Sequence, residues 1–249
     1  MSREKLVLEI ALESVEDALL AQRAGADRIE LCAGLDVGGL TPSAGQIAAV
    51  CAAVRIPVLV MIRPRPGGFC YSQGELDIMQ RDIAHARAAG AAGVVSGVLL
   101  PEGRVNENAT RALRDAAGGL QFVFHRAFDL TPEPLEALHA IRRCGVTRLL
   151  TSGQAPRVAP PSPGADLVRQ LVALAGGLEI MACGGVRADN VRALLQLTGV
   201  CQVHAACRRT TLDPSAAAGR APLGFGVASD AEFGVLEVEA LRALRAALD

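Results

Sequence analysis

Eight short apolar runs recur along the chain, each followed by a polar turn and a helix-forming segment. This alternation limits the possible folds more than any other feature of the sequence. The runs lie at 6–11, 28–32, 57–62, 93–100, 121–127, 148–152, 178–183 and 202–206. The third is apolar at almost every position, as a parallel strand buried on both faces must be. The segments between them carry helix signals. Ser14 has Asp17 three residues on, Ser72 and Glu75 make a capping box, Thr131-Pro132 starts a helix, and Gly25, Gly90 and Gly145 end others. Eight strands alternating with about eight helices in 249 residues predict a single-domain α/β fold over 1–249, a (β/α)₈ TIM barrel. A doubly wound open sheet is the alternative, but no strand–loop–helix here carries GxGxxG. Segment 155–164 is Pro-rich and reads as an irregular loop. Segment 207–236 is expected to be irregular, with a final helix at about 238–248.

Composition narrows the function. Aromatics are only 3% and Trp is absent, so Ala, Val, Leu and Ile must build the core. A net charge of −1 gives no basic footprint for nucleic acid. The longest apolar stretch, 47–62, is broken by Arg55 and Pro57 and does not suit a membrane span. No signal peptide is visible before the first strand. Lys5 is the only lysine, which excludes Schiff-base chemistry unless that residue supplies the amine. The seven cysteines form no CxxC pair and no zinc-type spacing, which predicts reduced thiols in the cytoplasm. No organic cofactor is evident. Outer helices rich in Ala and Leu and poor in Lys predict a homodimer.

In such a barrel the C-terminal strand ends form the site. Polar residues gather there, and strand starts are expected to contribute far fewer. Glu9 and Glu30, on adjacent strands, suit a general acid/base pair. Alternatively each pairs with an arginine such as Arg28 or Arg63 in a structural network. Arg63 and Arg65 suit an anionic ligand, or salt bridges to those glutamates. His125 and His204 each sit at a strand exit. Glu9, Glu30, Arg63, His125 and His204 are therefore expected to converge at one mouth as the catalytic set. Gly184-Gly185 precedes a helix start and suits phosphate, with Arg65, Arg126 and Ser152 as further anion contacts. Cys32, Cys70 and Cys183, with Met61 and Met181 near, raise Cu(I) as a soft-metal alternative, with Cys32 as the metal ligand.

Five stretches then stand together. They are ADRIELCAGLDVGGLTPS (26–43), VMIRPRPGGFCYS (60–72), FHRAFDLTPEPLEAL (124–138), LLTSGQ (149–154) and MACGGVRADN (181–190). In this order they resemble the copper-homeostasis CutC family, and the likeness runs from Leu8 to about Ala206. The resemblance implies a cytosolic (β/α)₈ barrel, often oligomeric, linked to copper tolerance and with no accepted enzymatic reaction. The family's copper proposals lean on cysteines, one of which matches Cys32, while Ala11 stands where another is often found. The family's usual PRGGDF is Arg65-Pro66-Gly67-Gly68-Phe69 here, without the acidic residue. Cys183 stands where glycine is common, and 155–164 departs from the usual loop. The matching Glu9, Glu30, Arg63, His125, Arg126, Asp129 and His204 look more like an enzyme pocket than a metal carrier. Two expectations follow. One is a copper-handling protein that binds Cu(I). The other is a barrel enzyme acting on a small anionic or phosphorylated molecule.

Overall fold

Val7–Leu12 (β1), Arg28–Leu31 (β2), Val58–Met61 (β3), Gly93–Ser96 (β4), Gln121–Phe124 (β5), Arg148–Thr151 (β6), Glu179–Ala182 (β7) and Gln202–Ala205 (β8) close into one parallel barrel. The computed structural model describes residues 6–217 and 231–249. Each strand pairs with the next in sequence, and β8 returns to β1. Helices α1 (Val15–Arg23), α2 (Ala44–Ala53), α3 (Gln73–Ala88), α4 (Glu107–Ala117), α5 (Pro134–Arg143), α6 (Pro163–Leu174) and α7 (Val191–Thr198) follow the first seven strands. This is the (β/α)₈ barrel that the alternating pattern predicts. Ser14 caps α1 and the Ser72/Glu75 box caps α3, as their spacing requires. The fifth helix starts later than Thr131-Pro132, with Pro134 at its first position.

The end of the chain departs from expectation. Segment 207–236 contains two strands, Arg208–Leu212 (β9) and Glu232–Leu236 (β10), paired antiparallel. Thr210, Thr211, Phe233 and Val235 are the β-branched and aromatic residues that favour this pairing. A short helix, Pro214–Ala217 (α8), follows β9. The rest of that segment, 218–230, lies outside the described residues. Val238–Leu248 (α9) then packs beside α7 and α1 and completes the helical ring.

Alternation along the strands divides the core in two. Ile10, Ile29, Leu31, Val60, Val94, Phe122, Phe124 and Leu149 face the helices. Cys32, Leu59, Met61, Val95, Val123, Leu150, Met181 and Cys183 fill the barrel interior. Both faces are buried, hence the nearly unbroken apolar runs. Glu9, Glu30, Arg63, His125, Ser152 and His204 share the parity of the inner set, so the same alternation places them inside the barrel.

One expectation about the strand ends does not hold. Five of the eight strands begin on a polar residue: Arg28, Gln121, Arg148, Glu179 and Gln202. Arg28 donates to Gln202 Oε1 at 2.9 Å and ion-pairs with Glu9. Arg148 ion-pairs with Glu179 and donates to Gln121 Oε1 at 3.3 Å. A narrow barrel floor accepts charge when each cation has a carboxylate beside it.

Candidate active site

The strand register builds the first wall of the site. Glu9 on β1 is opposite Arg28 on β2 and opposite His204 on β8. Its carboxylate is fully buried and accepts from Arg28 Nε at 2.5 Å, and its other oxygen lies 2.8 Å from His204 Nδ1. Burial alone would raise the Glu9 pKa. The hydrogen bond with His204 and the charge of Arg28 outweigh it and bring the pKa down to about 2. The far side of the imidazole, Nε2, lies 3.7 Å from Glu30 Oε2, an ion-pair distance too long for a hydrogen bond. Glu30 Oε1 is buried with no partner. Burial pushes the Glu30 pKa up; His204 opposes the rise and the Glu9 charge adds to it. Burial pulls the His204 pKa down, but Glu30 and Glu9 prevail and it stands above its ordinary value. The three side chains form a row: an anion, an imidazole holding its proton, and an acid held back from ionising.

β5 lies four strands from β1 in either direction around the barrel, so His125 stands on the opposite wall. His125 is only 4% exposed, and its Nδ1 accepts from the Ala127 N–H at 3.2 Å. That bond places the proton of the neutral ring on Nε2, which is buried and has no partner. Burial, with the charge of Arg63 second, pulls the His125 pKa down to about 3, so the ring is neutral at physiological pH. Gly97 makes this placement possible, because a Cβ there would come within 2.7 Å of Nδ1.

Arg63 leaves β3 at 5% exposure. It donates to the carbonyls of Val37 at 2.9 Å, Gly39 at 3.1 Å and Gly67 at 2.7 Å, and lies over the Phe69 ring at 5.1 Å. The Tyr71 hydroxyl is near the guanidinium, but neither it nor Arg63 Nε makes a hydrogen bond of good geometry. Among the described residues no carboxylate lies within ion-pair distance of Arg63, so it pairs with neither Glu9 nor Glu30. The sequence alternative of an arginine partner is met by Arg28 and Glu9 alone.

A cavity of about 780 Å³ opens over these groups. Glu30, Arg63, His125, His204, Arg126, Gly184 and Gly185 line it. Glu9 sits behind His204 and does not. Arg65 turns away, bonded to Glu75 and to the carbonyl of Cys70. Ser152 is buried beside the cavity, where it donates to Ala155 O at 2.6 Å and accepts from Arg126 at 2.8 Å. Both are held by Asp129, which accepts from Arg126, Thr151 and the N–H groups of Ser152 and Gln154. Asp129 thus fixes the β5 and β6 exits, a role its spacing did not reveal. Phe69 and α9 also reach the cavity unannounced. An aromatic inside the glycine-rich loop after β3 was the one available signal for Phe69.

Metal binding can be judged from the donors. Among the described residues, Glu9, Glu30 and His204 bring ligand atoms within 4.8 Å of one another. Arg28 and His204 already occupy both Glu9 oxygens, leaving His204 Nε2 and Glu30. This oxygen and nitrogen set does not fit Cu(I), which prefers sulfur. Cys32 lies outside the group, fully buried, with its Sγ 3.5 Å from Glu30 Oε2. Burial and the neighbouring Glu30 push its thiol pKa well up, so at neutral pH it is not the thiolate that metals bind.

Comparison with known proteins agrees with the fold and identifies the relatives. The sequence pattern of the CutC family matches residues 6–209. A family protein CutC of Mesorhizobium japonicum is 44% identical over 200 residues, covering 80% of this chain and 76% of that protein. The human copper homeostasis protein cutC homolog is 40% identical over 205 residues, covering 82% and 74%. A crystal structure of CutC from Streptococcus agalactiae superposes with a TM-score of 0.74 at 35% identity, over 80% of this chain and 97% of that one. Thiamine phosphate pyrophosphorylase from Pyrococcus furiosus, at 16% identity and a TM-score of 0.60 over 99% and 96%, shares the fold alone. The chain belongs to the CutC family.

Proposed function

We propose that this chain is a barrel enzyme that binds a small organic anion and moves a proton on it. The supporting observation is that Glu30 Oε1 and His125 Nε2, two buried polar atoms without partners, belong to residues on opposite walls of one cavity. Buried polar atoms are normally paired, and a ligand is the partner a cavity can supply. Arg63, a buried cation with no carboxylate, attracts the anion. Gly184 and Gly185 line the same cavity and offer backbone N–H groups that donate to no other described residue, without a helix dipole behind them because α7 begins only at Val191. His125 offers Nε2–H to a ligand oxygen. Glu30 gives or takes the proton, with His204 as its charge partner. Glu9 positions His204 by holding its Nδ1 at 2.8 Å and does not touch the ligand. The test is a thermal-shift screen of phosphorylated and carboxylated metabolites against the native protein and Arg63→Ala. A shift seen only with the native protein supports the reading, and no shift with any anion contradicts it.

The human relative's name supports a second reading, a part in copper homeostasis. One observation favours it: Cys32, Met61, Met181 and Cys183 bring four sulfurs into one buried cluster. Cu(I) there would have to displace the Cys32 proton and open the barrel interior. Anaerobic Cu(I) titration decides it, because unchanged stoichiometry in Cys32→Ser removes the site. A cytoplasmic setting rests on seven cysteines that are all free. Among the described residues no helix is long and apolar enough to cross a membrane. A homodimer is proposed from the Ala- and Leu-rich helix ring, where Leu135 and Leu174 are exposed. Light scattering that gives only 25.8 kDa ends that proposal.

A further inference from the structure

The cavity has two unlike halves. Glu30, Arg63, His125 and His204 make one. The other runs between the loop after β7, the loop after β8 and α9, and its apolar residues are Val186, Ala188, Ala205, Ala206, Ala240 and Ala243, with Cys207 and the charged Arg187, Asp189 and Arg208 beside them. Five of those six apolar residues are alanines with single methyl groups, and the Arg208 guanidinium is already paired with Glu13 and Asp36. Ala240 and Ala243, three apart on α9, lie beyond the residues 6–209 that the family pattern matches. A water claims about 30 Å³, so a cavity of about 780 Å³ is far larger than a bare phosphate or carboxylate needs. The unpartnered Glu30 Oε1 and His125 Nε2 belong to residues more than nine-tenths buried, and they mark the end where polar ligand atoms belong.

We infer that the ligand is a soluble amphiphilic organic anion, its charged group against Arg63 and His125 and its apolar portion against the alanines of α9 and the β8 loop. This rests on the anion-binding reading above and adds the substrate class. A polyol phosphate reaching α9 would bring hydroxyl groups against the Ala240 and Ala243 methyl groups, where each unpaired hydroxyl is costly. A methylene group placed there leaves water for carbon, worth about three- to fourfold in affinity per CH₂.

The experiment is calorimetric titration with n-alkyl phosphates from methyl to hexyl. The native protein is compared with Arg63→Gln and with the double variant Ala240→Leu/Ala243→Leu. Both alanines are exposed positions on a helix, and leucine is a good helix former, so the fold tolerates the change. The inference expects Kd to fall about three- to fourfold per CH₂ until the space is full. The double leucine variant should lose most of that dependence while keeping methyl phosphate binding. Arg63→Gln should weaken every member of the series by a similar factor. If methyl phosphate binds and lengthening the chain changes nothing, the inference is overturned and the anion reading stands. If chain-length dependence survives in the double leucine variant, the apolar portion sits elsewhere and the inference is overturned. If neither inorganic phosphate nor any alkyl phosphate binds, the anion reading fails and takes the inference with it. Binding to anionic phosphatidylserine vesicles in preference to soluble hexyl phosphate would overturn the assignment to a soluble ligand.

Discussion

The two ends of the barrel carry similar residues to opposite effect. At the floor, Arg28 ion-pairs with Glu9, and Arg148 with Glu179. At the mouth, Arg63 has only neutral carbonyls, His125 has a spare N–H, and Glu30 has a spare oxygen. Charges at the floor serve the protein's own structure. Groups at the mouth are held in place and left incomplete, which lowers stability unless something outside the chain completes them. Burial alone does not separate the two ends, since Arg28 and Arg148 are as buried as Arg63 and His125. The presence or absence of an opposite charge does: Arg148 Nε at the floor also lacks a hydrogen-bond partner, but its guanidinium meets Glu179, whereas Arg63 meets no carboxylate among the described residues.

The comparison breaks most sharply at Arg28. Arg28→Ala leaves the Glu9 carboxylate buried without its cation and should cost about 3–5 kcal/mol, read as a large fall in the denaturant midpoint. Arg63→Ala should cost less, about 1–3 kcal/mol for the carbonyls it abandons, and it should also abolish any anion-induced thermal shift. An Arg63 variant as unstable as the Arg28 variant would erase the distinction.

Acid titration sharpens the contrast on the His125 side. The His125 pKa of about 3 is depressed from an ordinary 6.5. An unfolded chain binds that proton first, so the stability this neutral ring permits is complete above 6.5 and is lost as pH falls toward 3. His125→Gln should remove a slope of up to about 1.4 kcal/mol per pH unit from that window. Equal slopes in both proteins would show that His125 is not held neutral by burial. Glu30→Gln should have the smallest effect on stability. It removes a carboxyl that resists ionising beside Glu9, so it should be neutral or stabilising by up to about 1 kcal/mol while losing any proton-transfer activity. A clear destabilisation would mean that Glu30 is a structural partner.

Much of this was legible in the chain. Unbroken apolar strands require burial on both faces, and residue parity then places Glu30, Arg63, His125 and His204 on the inside. Periodicity carries that information directly. It could not say that Glu9 lies behind His204, because that depends on which arginine the β1–β2 register delivers. Nor could it show that Arg65 is used by Glu75, since Arg65 lies four residues past the end of β3 and Glu75 sits in the first turn of α3. The polar strand starts carry no such signal, because a lone Arg28 or Arg148 at a strand start looks solvated until the floor closes around it. The α9 wall had no signal at all, since an exposed alanine on a helix reads the same whether it faces solvent or a cavity.

The central claim is that the mouth holds His125 neutral, with its Nε2–H waiting for an anion beside Arg63. Imidazole ¹⁵N NMR tests it directly, with and without added phosphate. The account predicts a neutral ring protonated on Nε2 throughout about pH 5–8, with a phosphate-dependent shift of that nitrogen that Arg63→Ala abolishes. An imidazolium at the acid end of that range, or a ring that ignores phosphate in the native protein, would contradict it.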